Sequence, residues 1–451
     1  STVAGVSTIQ FQTSSAAECI YPKGARLRVT GKITTPSGGD VTPNDKYCLQ
    51  PFGIFNSCSY EIGGKLVENQ NFTPYVAMVR QLLTKSRPEL DAHARKWGAE
   101  IESGSGVINT DIAFPSGVFS ATTAKKNRHY NQALENRVVD ADGAGVSLIV
   151  PQNPNPVLTQ QIITYEYPLD MLFSWLGGQN ADTIFFGQTH RIKFDINRGS
   201  GAVYHGFTDA NKTVVPQAAI FSISSAEIIM PTIEFDTDSN VLIRQFMSEN
   251  RRFTVLYEDV QTIISRAQPL NKAPEFTDTP STTTPTKIVV TCIDGDGVNG
   301  YNMGKYTNRS VTSASLSING DTVDSRITCN LGSGPGYENK QLYDKYVSSC
   351  ANPESPALSY EEFCTVYPMF CWNVDEMKWR SATAGTMSVQ FNTSNNHDGV
   401  ALSPAEMLAP ATSPLKIAIG GAAYATVAHF FSQKEIVFQY TEAGVIVVQS
   451  M

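Results

Sequence analysis

The sequence predicts an all-β protein built as two tandem sandwiches, and three observations support this fold class. A twelve-residue pattern at Ser57–Glu68 returns at Ser313–Asp324 with five identical positions. Short segments that alternate apolar and polar residues recur along the chain between turn signals. The strand–helix–strand alternation of parallel sheets is missing from the pattern. The internal repeat indicates two similar modules in one chain.

The repeated pattern is predicted to be a β-hairpin. In both copies apolar residues occupy alternate positions, the period of a strand with one face in a core. They are Cys58, Tyr60 and Ile62 in the first copy, and Ala314, Leu316 and Ile318 in the second. Gly63-Gly64 and Asn319-Gly320 follow, as a two-residue turn with positive φ at both positions requires. Each copy therefore reads as a strand, a tight turn and a returning strand.

Three further features follow both hairpins in the same order. The first is a helix, which a cap and a proline at Thr73-Pro74 begin in the first copy and which returns at Gln341–Val347. The second is a Tyr-Pro pair, at Tyr167-Pro168 and at Tyr367-Pro368. The third is an alternating strand, with Ile192, Phe194 and Ile196 in the first copy and Met387, Val389 and Phe391 in the second. Because unrelated strands rarely share such an order, tandem modules of one topology are the preferred interpretation.

A chain of 451 residues is too long for one core, since domains divide beyond roughly 250–300 residues. We expect an N-terminal arm at 1–21, a first jelly roll at 22–236, a linker at 237–251 and a second jelly roll at 252–451. In the first copy the turn residue Gly64 lies 103 positions before Tyr167 of the Tyr-Pro pair. In the second copy the corresponding distance, from Gly320 to Tyr367, is 47 positions. The additional residues are assigned to a surface excursion near 101–160, because jelly rolls accommodate long loops at their ends.

The remaining segments complete the two predicted sandwiches. The start of the chain is polar and expected to be loose, and the first helix is expected to end near Arg87-Pro88. A helix with Val241 and Leu242 is expected in the linker, and a strand begins at Arg252. The stretch 267–287, rich in Pro and Thr, is predicted to be an exposed loop. The C-terminus is expected to end in strands.

Composition excludes several classes of function. Lys plus Arg total 34 and Asp plus Glu 42, a formal charge of −8, which argues against a protein that coats nucleic acid. No stretch reaches the roughly 18 apolar residues of a membrane span, and the first residues lack a secretory signal pattern. The sequence therefore predicts a soluble protein made in the cytosol.

The eight cysteines are expected to be free buried thiols, because no C-x-x-C spacing occurs and a chain of this size has a large enough core to fold without disulfide bonds. A metal or redox site formed by Cys329, Cys350, Cys364 and Cys371 is the alternative. None of the six histidines stands at a ligand spacing, and nucleophile-elbow, P-loop and dinucleotide motifs are missing. No catalytic, cofactor-binding or metal-binding residue is predicted, and the chain is not expected to be an enzyme.

Three other motifs favour structural interpretations. Asp294–Gly300 resembles a calcium loop, but Val298 and Lys305 stand where ligands are needed. The sequons at Asn71, Asn211, Asn308 and Asn392 are expected to be unused without a secretory signal. Trp97, Trp175, Trp372 and Trp379 could form a sugar-binding platform, although Trp175 and Trp372 follow the Tyr-Pro pairs and are expected in the core.

Several of these features together resemble a known family. They are Tyr21–Gly24 before the first strand, the Ser-x-Ser-x-x-Ile-Gly-Gly hairpin with its helix, Tyr167–Phe173, and Gly187 followed by His190 and Ile192. This combination resembles the double jelly-roll major capsid proteins, most closely those of polintons, polinton-like viruses and virophages. The likeness spans roughly 22–448, with departures at 101–160 and at 329–371.

The resemblance implies a structural function. In that family three chains form a pseudo-hexameric capsomer, and capsomers tile an icosahedral shell around double-stranded DNA. The implied partners are two further copies, neighbouring capsomers, and penton and minor capsid proteins, without sequence-specific binding of nucleic acid; an internal membrane is left open. The location is the virion, after synthesis in the host cytoplasm or nucleus. A carbohydrate-binding or adhesin-like sandwich is the alternative, and an enzyme on this scaffold would need paired carboxylates in a cleft.

Overall fold

A computed structural model describes most of both predicted modules. The residues described are 7–13, 19–34, 47–49, 51–90, 92, 163–197, 203–205, 220–265, 268–269, 275–279, 285–294, 306, 311–322, 326–331, 335–365, 367–374, 386–393, 423–441 and 444–450. Their α-helices include α1 (Thr73–Thr84), α2 (Thr237–Ser248), α3 (Lys340–Ser349) and α4 (Tyr360–Thr365).

The first module contains eleven described strands. They are β1 (Thr8–Gln12), β2 (Cys19–Ile20), β3 (Arg26–Thr34), β4 (Tyr47–Leu49), β5 (Phe55–Ile62), β6 (Lys65–Asn71), β7 (Ile163–Pro168), β8 (His190–Ile196), β9 (Val203–His205), β10 (Ile220–Ile229) and β11 (Thr232–Ile233). One sheet has the order β1-β8-β5-β6 and the other β10-β3-β7, while β2 pairs with β11 and β4 with β9. All the pairings are antiparallel.

The second module also contains eleven described strands. They are β12 (Arg252–Ile264), β13 (Gln268–Pro269), β14 (Glu275–Asp278), β15 (Lys287–Asp294), β16 (Val311–Ile318), β17 (Asp321–Thr322), β18 (Ile327–Thr328), β19 (Phe370–Asn373), β20 (Met387–Thr393), β21 (Ala423–Thr441) and β22 (Gly444–Ser450). One sheet has the order β12-β21-β15-β19, with β13 and β22 also on β21. The other has the order β14-β20-β16-β17, with β18 on β16.

The two modules share one strand order. The sheet β1-β8-β5-β6 corresponds strand for strand to β14-β20-β16-β17, and β10-β3-β7 corresponds to β21-β15-β19. The hairpin strands β5 and β16 each lie between the returning strand of the hairpin and the later alternating strand. The prediction that the two repeats occupy equivalent strands is confirmed, as is the all-β fold class. The domain boundaries at 236 and 252 stay predictions.

The hairpin turns have the predicted backbone conformation. Gly63 and Gly64 have φ of 58° and 78°, and Asn319 and Gly320 have φ of 54° and 87°. Positive φ at two successive positions gives the turn a twist that matches its flanking strands, so the turn fixes the register of the hairpin. The alternating residues of β5 and β16 then point into their cores, where Tyr60 is fully buried.

The expectation of a loose N-terminal arm over 1–21 is wrong for its described residues. Thr8–Gln12 forms β1, which pairs with β8 along five residues, and Cys19–Ile20 forms β2. Ile9 and Phe11 alternate with polar residues and pack against the core of the first module. This period of two extends over only five residues, so it was weak evidence in a polar segment.

The expectation of an exposed loop over 267–287 is also wrong for much of its described part. Gln268–Pro269 pairs with β21, and Glu275–Asp278 forms β14 on the edge of its sheet. Phe276 is 2% exposed. The many prolines indicated a loop, but prolines are compatible with short edge strands, where the missing N–H is not needed.

Two details of the repeat differ from prediction. The N-cap residue of helix α1 is Phe72, which has a φ of 58° and makes no side-chain capping bond, and the Thr73 hydroxyl contacts the Cys58 sulfur at 3.6 Å. The helix ends at Thr84, three residues before the predicted end. The Tyr-Pro pairs are not equivalent, since Pro168 ends β7 whereas Tyr367-Pro368 precedes β19. The helices at α1 and α3 and the linker helix α2 are confirmed.

Other sequence expectations fall outside the described residues. The excursion at 101–160 lies entirely there, as does the calcium-like turn beyond Asp294. Within the described part, no helix has the length and apolar character needed to cross a membrane.

Candidate functional site

The interface between the two modules is the most extensive candidate site, and aromatic rings form its centre. Trp175 and Phe185 come from the first module, and Phe253 and Phe438 from the second. The Phe438 ring centroid lies 5.0 Å from Phe185 and 6.1 Å from Trp175, while Phe253 stacks on Phe438 at 5.0 Å. Such pairs contribute about 0.5–1.5 kcal/mol beyond the apolar area they bury. The two modules therefore share one continuous core.

Main-chain contacts continue the interface beside the aromatic rings. The Gln179 amide donates to the Leu256 carbonyl at 2.8 Å, and the Asn180 side chain donates to the Thr254 carbonyl at 3.1 Å. A Cβ on Gly178 would lie 2.4 Å from the Leu256 oxygen, closer than any real Cβ approaches. Glycine is required at 178 because β12 passes directly over this turn.

A second glycine contact lies near the C-terminus. Gly444 has a φ of +122°, and a Cβ there would lie 2.3 Å from the Phe186 oxygen. The neighbouring Val445 amide donates to that same oxygen at 3.0 Å. Lys65 in β6 donates to the Val447 carbonyl at 2.7 Å. The C-terminal strand β22 is thus held by the first module as well as by β21.

A buried carboxylate positions the turn that carries Trp175. Glu68 accepts hydrogen bonds from the Ser174 amide at 2.9 Å, the Trp175 amide at 3.0 Å and the Gln70 side chain at 2.8 Å. Burial raises the pKa of Glu68, while Arg80 and the two amides oppose that rise. Three donors satisfy the carboxyl group where water is excluded, so it fixes the geometry of this turn.

The end of helix α1 docks into the second module. The Tyr346 hydroxyl donates to the Leu82 carbonyl at 2.9 Å and accepts from the Leu358 amide at 3.2 Å. The Ala351 amide donates to the Leu83 carbonyl at 2.8 Å. The last carbonyls of a helix have no partner within it. Here the second module supplies those partners.

An ion pair closes the same contact. Arg87 lies 2.6 Å from the Glu362 carboxylate, whose side chain is 6% exposed. Arg87 also donates to the Ala357 carbonyl at 3.3 Å. Glu362 accepts further bonds from the Ser359 amide and hydroxyl, both at 2.9 Å. Loss of Arg87 would leave the buried Glu362 carboxylate without its counter-ion, which is costly.

The cysteine-bearing segment has a structural place in this interface. Cys329, Cys350, Cys364 and Cys371 are buried and carry no disulfide. Burial raises the pKa of Cys350 to about 11 and that of Cys371 to about 12, so the thiols stay protonated. Within the described ranges, no group of three or more His, Cys, Asp or Glu residues is placed to hold a metal ion.

Two histidines lie in the cores, one in each module. His190 Nδ1 is 3.0 Å from the Tyr60 hydroxyl, and His429 Nδ1 is 2.9 Å from the Thr262 hydroxyl. Burial lowers the pKa of His190 to about 4 and that of His429 to about 3. Both rings are therefore neutral at pH 7, because burial disfavours the charged form.

The predicted sugar platform is not assembled by the residues that the structure places. Trp175 and Trp372 are both buried, as expected for core residues, and Trp97 and Trp379 lie outside the described ranges. The sequon Asn71 ends β6, and Asn392 lies in β20, where its side chain donates to Ser313 at 2.9 Å. The interface itself was missed from sequence, because its donors and acceptors are mostly main-chain groups.

Comparisons with known proteins point to one architecture. No protein-family model matches the chain, and no curated protein does. A chain from the structure of the Sputnik virophage is similar with a TM-score of 0.52 at 11% identity, covering 98% of this chain and 84% of that one. The mavirus major capsid protein is similar with a TM-score of 0.50 at 11% identity, covering 98% and 87%.

The chain has a double jelly-roll fold. Both similarities extend over 98% of the chain, so they include both modules. This agrees with the matching strand orders of the two modules. At 11% identity the similarity defines the double jelly roll itself, and function has to be argued from the chain's own surfaces.

Proposed function

We propose that this chain is a structural major capsid protein whose trimers form pseudo-hexameric capsomers of an icosahedral virus shell. The observation that carries the proposal is the side-by-side fusion of two modules with one strand order into a single core. A chain with two similar modules has two similar lateral surfaces through which it can contact other copies. Three such units place six like modules around one axis, which fills a hexagonal position in a lattice.

The interface supports this role because a shell subunit has to keep its shape under load. Aromatic packing, two glycine contacts and the docked end of α1 tie the modules together. Independent modules joined by a flexible linker would give no defined angle between their flanks. The double jelly-roll fold shared with the mavirus major capsid protein supports the same conclusion.

The proposal assigns partners by the same reasoning. Two further copies complete the capsomer, and neighbouring capsomers, penton and minor capsid proteins complete the shell in the virion. No enzymatic step is assigned. The sugar-binding alternative loses its main support, since Trp175 and Trp372 are buried.

Light scattering after size-exclusion chromatography tests the proposal. At micromolar concentration under reducing conditions we expect a species three times the 49.1 kDa chain mass. Obligate interfaces commonly bury on the order of 2,000 Å² or more, so the trimer should survive dilution. A monodisperse monomer that forms nothing larger on concentration would contradict it.

A further inference from the structure

The outer faces of the two corresponding sheets, which are turned away from their own cores, differ in exposure. Arg26 begins β3 and pairs with Ile229, and Lys287 begins β15 and pairs with Phe431. In both sheets the strand on the other side, β7 or β19, ends opposite that first residue. The registers therefore make Ile229 the counterpart of Phe431. Phe431 is 1% exposed and Ile229 is 37% exposed, so this position is covered in the second module and open in the first.

Helix α1 of the first module lies against the outer face at Phe431. Arg80, Gln81 and Thr84 form one side of a cleft, and Val260 and Phe431 of the second module form the other. The hydrogen bonds at the end of the helix keep it in this position. Within one chain, the helix that follows the hairpin of the first module therefore packs on the outer sheet face of the second.

Helix α3 follows the hairpin of the second module and has an exposed side. Gln341, Asp344 and Ser348 recur at the spacing of one helix face and are exposed. Tyr337, which precedes the helix, is 88% exposed. These four residues line one shallow depression of the surface. A helix with an exposed tyrosine beside it is typical of a protein-binding surface, because Tyr is enriched at interfaces.

We propose that the side of α3 carrying Tyr337 and Asp344 binds the outer face of β10-β3-β7, at Ile229 and Arg26, in a second copy of this chain. Each of the two surfaces that meet inside the chain has an exposed counterpart, and in this contact the two counterparts meet between chains. The contact joins two different surfaces, so it is head to tail and can close into a ring. The inference rests on the proposed function, because it names the surfaces that join the trimer.

The chemistry of the two surfaces is complementary. The side chains of Arg26 and Arg28 are 51% and 43% exposed, and the Glu166 carboxylate holds them at 3.0 Å and 3.4 Å. A guanidinium group has five N–H donors, so both arginines keep donors for a further carboxylate. Asp344 supplies such a carboxylate on α3. Charged pairs of this kind at the rim of an interface fix its register, while the Tyr337 ring provides apolar contact.

Site-specific photo-cross-linking tests the inference. The photoreactive residue p-benzoylphenylalanine is placed at position 337 instead of Tyr337, and the chain is irradiated at micromolar concentration. We expect a covalent dimer at twice the 49.1 kDa chain mass, with cross-linked peptides from β10 or the start of β3. The matched control carries the same residue instead of Leu242 on α2, where 66% of the side chain is exposed. It should give no cross-link to β3 or β10.

A pair of substitutions measures the same contact without a probe. Ile229→Asp should raise the dissociation constant of the trimer about tenfold or more, because it places a charge at the centre of the contact. Leu242→Asp changes a more exposed aliphatic side chain outside the contact, and should change that constant by less than about twofold. Sedimentation velocity over a dilution series gives both values. If Ile229→Asp does not fold, the cross-link decides, since it leaves β10 unchanged.

The outcomes separate this inference from the proposed function. A trimer with no cross-link from position 337, or with cross-links that map elsewhere on the second copy, would overturn the inference and leave the capsid proposal standing. Equal dissociation constants for the folded Ile229→Asp and Leu242→Asp variants would do the same. An unmodified chain that stays monomeric would contradict the proposed function, and the inference with it.

Discussion

Helices α1 and α3 follow equivalent hairpins, yet they are used differently. Ten of the twelve residues of α1 are buried, whereas in α3 the buried residues are Leu342, Tyr346 and Ser349. Helix α1 lies where the modules meet and ends against the second module, while α3 packs mainly on β19 of its own module, reaches the end of α1 through Tyr346, and exposes one face. The difference shows that the two copies share a strand plan, and that the contact between them determines which surfaces become apolar.

The largest expected effect comes from removing the aromatic ring at the centre of the interface. Phe438→Ala should lower the free energy of unfolding by about 3–5 kcal/mol. It should also split the single unfolding transition into two, because Phe438 contacts Trp175 and Phe185 of the first module. Phe391→Ala is the matched control, since Phe391 packs on Phe370 within the second module.

Calorimetry separates the two variants. Phe391→Ala should lose similar stability and keep one transition, because the interface is intact. One unsplit transition in Phe438→Ala would show that the modules do not depend on this contact for their cooperativity.

Acid should weaken both modules, because each holds one neutral histidine in its core. The pKa of His190 is lowered to about 4 and that of His429 to about 3, so folding favours the neutral ring. Stability is therefore complete above the unfolded pKa of about 6.5 and falls as the pH drops below it, by about 2 kcal/mol per histidine at pH 5. Urea unfolding at pH 7 and pH 5 measures the loss.

The His429→Gln variant is the control for the acid effect. Its loss between pH 7 and pH 5 should be about half that of the unmodified chain, because one of the two core histidines with a lowered pKa, His190, then remains. Equal losses in the two proteins would assign the acid effect to other groups.

The close approach of β12 to the turn at Gly178 makes a sharper test of the interface. Gly178→Ala should lower the free energy of unfolding by about 1–3 kcal/mol, because its Cβ meets the Leu256 oxygen and the Tyr257 side chain. Gly177→Ala adds the same methyl group one residue earlier, where no atom lies within 4 Å. It should change stability by less than about 0.5 kcal/mol. Thermal unfolding of the pair gives the answer, and equal effects would place β12 elsewhere.

The smallest expected effect distinguishes the docked helix end from a hydrogen bond within one module. Tyr346→Phe removes one hydrogen bond to the Leu82 carbonyl and one from the Leu358 amide, and should cost about 1–2 kcal/mol. Tyr343→Phe removes a bond to the Leu358 carbonyl in the same module and should cost about 1 kcal/mol or less. Exchange of the last α1 amides should quicken only in Tyr346→Phe; quickening in both variants would remove the special role of Tyr346.

Sequence patterns predicted the strands whose periodicity is local. Gly63-Gly64 and Asn319-Gly320 determine a turn by their own conformational preferences, so both hairpins were predictable. The Tyr-Pro pairs were misleading, because β7 ends at Pro168 whereas β19 begins after Pro368. A Tyr-Pro pair alone does not determine whether a β-strand precedes it or follows it.

What could not be predicted depends on distant partners. Strand β1 has five residues and β14 four, and their place in a sheet follows from pairing with β8 and β20 far along the chain. The interface uses carbonyls of Leu82, Leu256 and Phe186, which every sequence possesses. Gly178 could have suggested a close backbone approach, but no residue pattern identified what would approach it.

Electron microscopy of the purified protein in negative stain tests the central claim most directly. The account predicts particles with a hexagonal outline whose averaged images have threefold, and not sixfold, symmetry, because the alternating modules share a strand order but differ at α1 and α3. Single particles the size of one chain, with two lobes and no larger assembly, would contradict it.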